Sequence, residues 1–171
     1  MPKVIVVIAQ EGYQDMELDG ARNGLTEAGF EVVLSSKEKG SCAGKLGGSE
    51  ESAIAMRDIE VEDYNRIVFI GGPGAEEYAS DSDALHLAQE ANRAGMPLGA
   101  ICIAPTILAK AHVLQGKQAT VWDSGGKQAA ILEQYGAMYT GEPVTVDGNI
   151  VTANGPDAAI DFGKAIASRS L

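Results

Sequence analysis

In the stretch Gly99-Ala100-Ile101-Cys102-Ile103-Ala104-Pro105, alanine stands two residues before and two residues after a cysteine. A nucleophile on a sharp strand-to-helix turn needs small neighbours at those two positions, because larger side chains would collide across the bend. This is the steric logic of the G-x-S-x-G elbow, with thiol in place of hydroxyl. A thiol at a helix N-terminus also gains backbone N–H groups and a favourable dipole, which can lower its pKa from about 8.5 to between about 3.5 and about 7.5. Cys102 would then be a thiolate at neutral pH. The competing reading is a buried cysteine that packs as a small hydrophobe, and spacing alone leaves both open.

Other residues could serve such a nucleophile. Gly71-Gly72-Pro73-Gly74 can offer backbone N–H groups to an oxyanion and let a substrate approach the chain closely, or it can be no more than a tight turn. It is not a phosphate loop, since no Gly-Lys-Ser/Thr follows and G-x-G-x-x-G does not fit. Glu17 is one of three nearby acids, with Glu11 and Asp15, and an acid in a helix's first turn commonly only complements the dipole. Trp122 fits an apolar wall. His86 lies within an expected helix and His112 near a helix end, positions suited to the surface, although spacing does not exclude a fold-induced approach to Cys102.

The elements that must position these residues follow from periodicity. The β-branched run Val4 to Ala9 is a strand buried on both faces. A polar loop, Gln10 to Asp15, leads to a helix with Met16, Leu18, Ala21, Leu25 and Ala28 at helical spacing, stopped by Gly29. Phe30 to Ser35 is a second strand, and Lys39 to Ser49, rich in Gly and Ser, reads as a hairpin or loop excursion. Ile67 to Ile70 is a strand ending in the glycine turn, Ser82 to Ala94 a helix, and Pro97 to Ile101 a strand that runs into Cys102. After the helix Ala104 to Ala111 come a strand over Ala119 to Trp122, a helix from Lys127 to Tyr135, two strands around Asp147-Gly148-Asn149, and a closing helix from Asp157 to Ser168. Such alternation predicts an α/β fold with a mostly parallel sheet between helix layers. Ligands in such sheets bind beyond the carboxyl ends of the strands. That rule brings together the Glu17 loop, the Gly71-Gly72 turn and Cys102.

At 171 residues the chain has the size of one domain, taken as residues 1–171, in which about 70% of the unfolded surface can be buried. A formal charge of -11, without runs of Lys or Arg, repels phosphate backbones and anionic lipid, so neither nucleic acid nor a membrane is an expected partner. The two cysteines, Cys42 and Cys102, fit neither a disulfide framework nor a metal site, which points to a reducing, cytoplasmic setting. No export signal is evident at the N-terminus.

Four segments then carry a likeness: Gly12-Tyr13-Gln14-Asp15-Met16-Glu17-Leu18, Ile70-Gly71-Gly72-Pro73-Gly74, Ala100-Ile101-Cys102-Ile103-Ala104-Pro105 and Thr152-Ala153-Asn154-Gly155-Pro156. In order and spacing they resemble the ThiJ/PfpI superfamily, of the DJ-one and PfpI type with a class I glutamine amidotransferase-like fold, over nearly the whole chain. The resemblance implies a flavodoxin-like α/β/α sandwich, a homodimer or larger homo-oligomer, and no cofactor or metal. It matches Cys102 to the family's elbow cysteine, Glu17 to its partner acid, and Gly71 and Gly72 to the backbone donors, with Ile103 at the same substrate-binding position. A thiolate beside a carboxylate is a like-charge pair, so the two should share one proton and titrate together.

Two departures narrow the activity. Ile103 stands where peptidase-like members carry histidine, which disfavours proteolysis. Trp122 stands at the position where members nearer DJ-one place a histidine. The resemblance therefore implies a cysteine-dependent enzyme acting on small reactive carbonyls, of the glyoxalase or deglycase kind. The alternatives are a redox-sensing or stress-protective protein acting through oxidation of Cys102, and a hydrolase or hydratase of another small electrophile.

Overall fold

The computed structural model describes residues 1–170. In chain order the elements are β1 (Lys3–Val7), β2 (Glu11–Tyr13), α1 (Asp15–Glu27), β3 (Glu31–Ser36), β4 (Gly40–Gly44), β5 (Ser49–Ser52), β6 (Ile54–Ala55) and β7 (Arg66–Phe69). They continue with α2 (Ser82–Arg93), β8 (Leu98–Ile101), α3 (Pro105–Lys110), β9 (Gln118–Ala119), α4 (Lys127–Gln134), β10 (Met138–Tyr139), β11 (Val144–Asp147), β12 (Ile150–Ala153) and α5 (Ala159–Ser168).

Seven strands form the central sheet in the order β11-β12-β8-β7-β1-β3-β6. Every pairing is parallel except the β11–β12 hairpin at one edge. The alternation of side chains along β1 shows why helices cover both faces. Val4, Val6 and Ile8 join Leu18, Leu25, Phe162 and Ile166 in the layer with α1 and α5. Ile5 and Val7 join Leu87, Ala88, Ile107 and Leu108 in the layer with α2 and α3. This is the expected flavodoxin-like α/β/α sandwich. The helices α1 and α5 pack through small residues: a Cβ on Gly24 would come within 2.9 Å of the backbone at Lys164, and one on Gly163 within 2.7 Å of the Ala21 carbonyl. Among the described residues no helix is long and apolar enough to cross a membrane.

The order of strands has one reversal. From β1 the chain moves outward to β3 and β6, then returns to the other side of β1 and proceeds through β7, β8 and β12. The loops after β1 and β7 therefore separate at a topological switch point, where α/β sheets open a crevice.

Several elements differ from the sequence reading. The loop Gln10 to Asp15 contains the short strand β2, which joins the expected hairpin β4–β5 in a small three-stranded sheet. Of the expected strand Ala119 to Trp122 only Ala119 lies in a strand, β9, which begins one residue earlier and pairs with β10 outside the main sheet. Thr120 and Trp122 spend their N–H groups instead on Thr152 Oγ1 and the Cys102 carbonyl, contacts that periodicity does not encode. Pro73–Ser80 coils as 3-10 helix where no element was expected. On α1, Met16 is 51% exposed and Ala28 is also exposed, while Glu17 takes their expected place in the buried stripe.

Candidate functional site

Cys102 follows the last residue of β8 and has φ 65, one of two non-glycine residues with positive φ among those described. An L-residue held in that region stores strain of roughly 1–3 kcal/mol, so its surroundings must over-determine it. They do so from both sides. Its N–H donates to the Ala153 carbonyl at 2.9 Å, continuing the β8–β12 ladder, and its carbonyl accepts from the Trp122 N–H at 2.8 Å. Ala100 and Ala104, the small residues that the elbow requires, are both fully buried.

Glu17, in the first turn of α1, is also fully buried. The N-cap of that helix is Gln14, whose Oε1 accepts from Met16 N–H at 2.8 Å and whose own N–H donates to the Gly71 carbonyl at 2.9 Å. These bonds lock the start of α1 onto the turn after β7. Glu17 Oε1 then accepts from Gly71 N–H at 3.0 Å, while Oε2 is buried without a hydrogen-bond partner. The Gly71 N–H is thereby committed to Glu17 and is not free to hold an oxyanion, which corrects the expected pairing of Gly71 with Gly72. The backbone N–H groups that favour a charged Cys102 sulfur are those of Gly72 and Ile103. The Ile103 side chain is buried in the core, so that residue meets the site through its backbone.

Gly71 and Gly72 are required for different reasons. A Cβ on Gly71 would stand 2.6 Å from Cys102 Cβ and 2.8 Å from Glu17 Oε1, so glycine lets Cys102 and Glu17 approach the chain together. Gly72 has φ 110, and its Cβ would strike the Gly12 carbonyl and come within 2.6 Å of Gln14 N.

Burial and the neighbouring Glu17 carboxylate push the Cys102 thiol up to about 12, against the pull of the Gly72 and Ile103 N–H groups. This reverses the expectation of a thiol lowered by a helix N-terminus. The helix that follows, α3, has six residues and begins three positions beyond Cys102, so desolvation and like charge win. Burial likewise raises Glu17 to about 7, with Cys102, Gly71 N–H and Lys45 pulling the other way. The expected sharing of one proton survives this correction: the first proton leaves the pair near pH 7 and the second far above it. In the one-proton state the proton rests mainly on the Cys102 sulfur, and its transfer to Glu17 leaves a thiolate that the Gly72 and Ile103 N–H groups favour.

The pair opens into a cleft of about 350 Å³ lined by Gln14, Glu17, Lys45, Gly72, Pro73, Glu76, Cys102, Ile103, Trp122, Gln128 and Pro156. Trp122, one of the lining residues, is 44% exposed. A larger concavity, about 660 Å³, lies between the 56–61 segment and α2 and includes His86, but neither cysteine nor Glu17. His86 is exposed beside Glu90, and His112 is exposed with its ring edge-on to Tyr135, so neither approaches Cys102. Cys42 is buried elsewhere, and desolvation raises its thiol.

Gln14, Lys45 and Gln128 were not singled out as site residues from sequence. Gln14 sits inside the Gly12 to Leu18 segment, whereas Lys45 and Gln128 reach the cleft by tertiary contacts that leave no local signal.

Among curated proteins, an uncharacterised protein of Methanocaldococcus jannaschii is 36% identical over 162 residues, covering 94% of this chain and 78% of its own length. A protein of Pyrococcus horikoshii named as a deglycase is 32% identical over 154 residues, covering 90% of each chain. Among solved structures, a ThiJ/PfpI domain protein from Brachyspira murdochii superposes with a TM-score of 0.92 at 27% identity, covering 96% of this chain and 94% of that one. The sequence model of the DJ-1/PfpI family matches residues 2–169, nearly the full length on which the fold and the cleft are built. The chain belongs to the DJ-1/PfpI family.

Proposed function

We propose that this protein is a cofactor-free, cysteine-dependent enzyme that converts small 2-oxoaldehydes to 2-hydroxy acids, or releases such carbonyls from their adducts, with Cys102 as nucleophile and Glu17 as proton carrier. The observation that carries the proposal is the buried Cys102–Glu17 pair, closed by Gly71 on one side and facing two uncommitted N–H groups on the other. The relatives named as deglycases support an enzyme of this kind.

The chemistry follows from the one-proton state of the pair. The Cys102 thiolate adds to the aldehyde carbon, and the developing oxyanion takes hydrogen bonds from Gly72 and Ile103 and then the proton of Glu17. The product is a neutral hemithioacetal beside a Glu17 carboxylate. That carboxylate removes the C1 hydrogen as a proton and returns it to C2, while the C1 hydroxyl proton moves to the C2 oxygen. The result is a thioester with a C2 hydroxyl. Water cleaves the thioester, releasing the 2-hydroxy acid and restoring the shared proton. Overall, one water adds to one 2-oxoaldehyde with no external oxidant or base. Oε2 of Glu17, buried and unpartnered, supports its role as the proton carrier.

The test is methylglyoxal consumption, with the product identified as lactate, by wild type, Cys102→Ala and Glu17→Gln. Turnover by the wild type, at least 100-fold lower in both variants, is expected for a nucleophile and an acid–base group. Full turnover in Cys102→Ala would remove the proposal. A second reading uses the same Oε2: a sulfinate on Cys102 would find its hydrogen-bond donor in protonated Glu17. No turnover in the wild type, with peroxide oxidising Cys102 before Cys42, would favour that reading.

A further inference from the structure

The cleft over Cys102 is lined by donors whose own acceptors are already spoken for. Gln14 and Gln128 are only 8% and 6% exposed. The orientation of both amides is unambiguous, because in each the carbonyl oxygen is held by a backbone N–H: Met16 N–H reaches Gln14 Oε1 at 2.8 Å, and Ser124 N–H reaches Gln128 Oε1 at 2.8 Å. Only an oxygen can accept there, so each amide presents its NH₂ group. Neither NH₂ group has a protein acceptor among the described residues, yet both side chains line the cleft.

The third donor is Lys45, on the turn between β4 and β5, which has no ion-pair partner among the described residues. Its position is held by its backbone. Lys45 N–H donates to the Tyr13 carbonyl at 2.8 Å, and Asp15 accepts from Leu46 N–H at 2.8 Å and Gly48 N–H at 2.7 Å. Lys45 is the cation that pulls on Glu17; Glu76 also lines the cleft but is not among the groups that shift Glu17 or Cys102.

We infer that the cleft selects electrophiles bearing a carboxylate near the reactive carbonyl, with Lys45, Gln14 and Gln128 holding that carboxylate while the carbonyl lies over Cys102. This deepens the proposed carbonyl chemistry and rests on it for the reacting group. A single cation with two neutral amide donors suits a monoanion better than a phosphate dianion. The overall charge of -11 opposes any anion, but salt screens that field within about 8 Å at physiological ionic strength, whereas Lys45 acts inside the cleft.

Two substrates with the same reacting group separate the ideas. Methylglyoxal is neutral, and 4,5-dioxopentanoate carries the same 2-oxoaldehyde with a carboxylate two carbons away. The wild type is expected to favour 4,5-dioxopentanoate in kcat/KM by about tenfold or more, a preference lost in Lys45→Met and retained in Lys45→Arg. Binding is read independently from the fluorescence of Trp122, the only tryptophan and a wall of the cleft, using unreactive 4-oxopentanoate and its neutral amide. Equal kcat/KM for the two aldehydes overturns carboxylate selection while leaving the carbonyl chemistry standing. No turnover of either, with 4-oxopentanoate bound more tightly than its amide in wild type but not in Lys45→Met, upholds the selection and removes the proposed chemistry. Neither turnover nor preferential binding overturns both.

Discussion

Glu17 is an acid in a position that ordinarily faces water, and here it is wholly buried. Its ordinary value of 4.5 is raised to about 7 chiefly by desolvation. A carboxyl raised on folding stabilises the fold in its protonated form, a contribution complete below about pH 4.5 and lost as the pH rises through about 7. Glu17→Gln retains the acceptor for Gly71 N–H and is neutral at every pH. It is therefore expected to gain stability over wild type between pH 5 and pH 8, by on the order of 3 kcal/mol at the upper end. Urea midpoints at the two pH values check this, and a difference that does not change with pH would contradict the burial argument. Ala100 and Ala104 mark the sharp turn at Cys102 in the sequence, but that local rule leaves a packed core cysteine equally open, and only the family motif singled Cys102 out. Glu17 was legible chiefly through the family motif, although a physical signal was present: it stands four residues before Ala21 and eight before Leu25, in register with the buried face of α1. The raised thiol was not legible, since desolvation is a property of the packed chain.

Elements bring the site together through their ends. The carboxyl end of β8 leads into Cys102 and Ile103, the turn after β7 carries Gly71 and Gly72, and the start of α1 carries Glu17. The strands β1, β3, β7 and β8 follow from their apolar runs, whereas β2, β6 and β9 are too short to leave a period. The least legible element for function is the turn bearing Lys45, since its placement depends on Asp15, more than 30 residues away from the amides it binds. Asp15→Ala removes the acceptor for Leu46 and Gly48. Hydrogen exchange at those two amides should accelerate at least about tenfold, with a loss of global stability of about 1–3 kcal/mol. Unchanged protection would mean that the turn is held by other contacts.

Across the whole molecule, elements far apart in sequence are tied together through Arg66. Arg66 opens β7 with its guanidinium 4.5 Å from the centre of the Phe30 ring. Its Nε donates to the Ile166 carbonyl at 2.9 Å, and Nη2 donates to the carbonyls of Ala167 and Arg169, satisfying the end of α5. Arg66→Ala is expected to cost on the order of 3 kcal/mol, because it removes the guanidinium donors to the end of α5 and the packing over Phe30. A urea midpoint within error of wild type would contradict this. The α/β class was legible from alternation alone, and the order β7, β1, β3 places the switch point beside the cleft that holds Glu17 and Cys102. The small sheets outside the main one were not, because their pairings join segments with no shared pattern.

The central claim is that Cys102 and Glu17 act as one titrating unit, and the most direct measurement is the rate of Cys102 alkylation by iodoacetamide as a function of pH, mapped to its peptide, in wild type and Glu17→Gln. Wild-type reactivity is predicted to rise through an inflection near pH 7, where the first proton leaves the pair, and to level off. In Glu17→Gln that inflection is predicted to vanish, leaving a single thiol titration below the wild-type value of about 12, since the neighbouring carboxylate is gone. Identical profiles in the two proteins would show that the thiol titrates alone and would contradict the account.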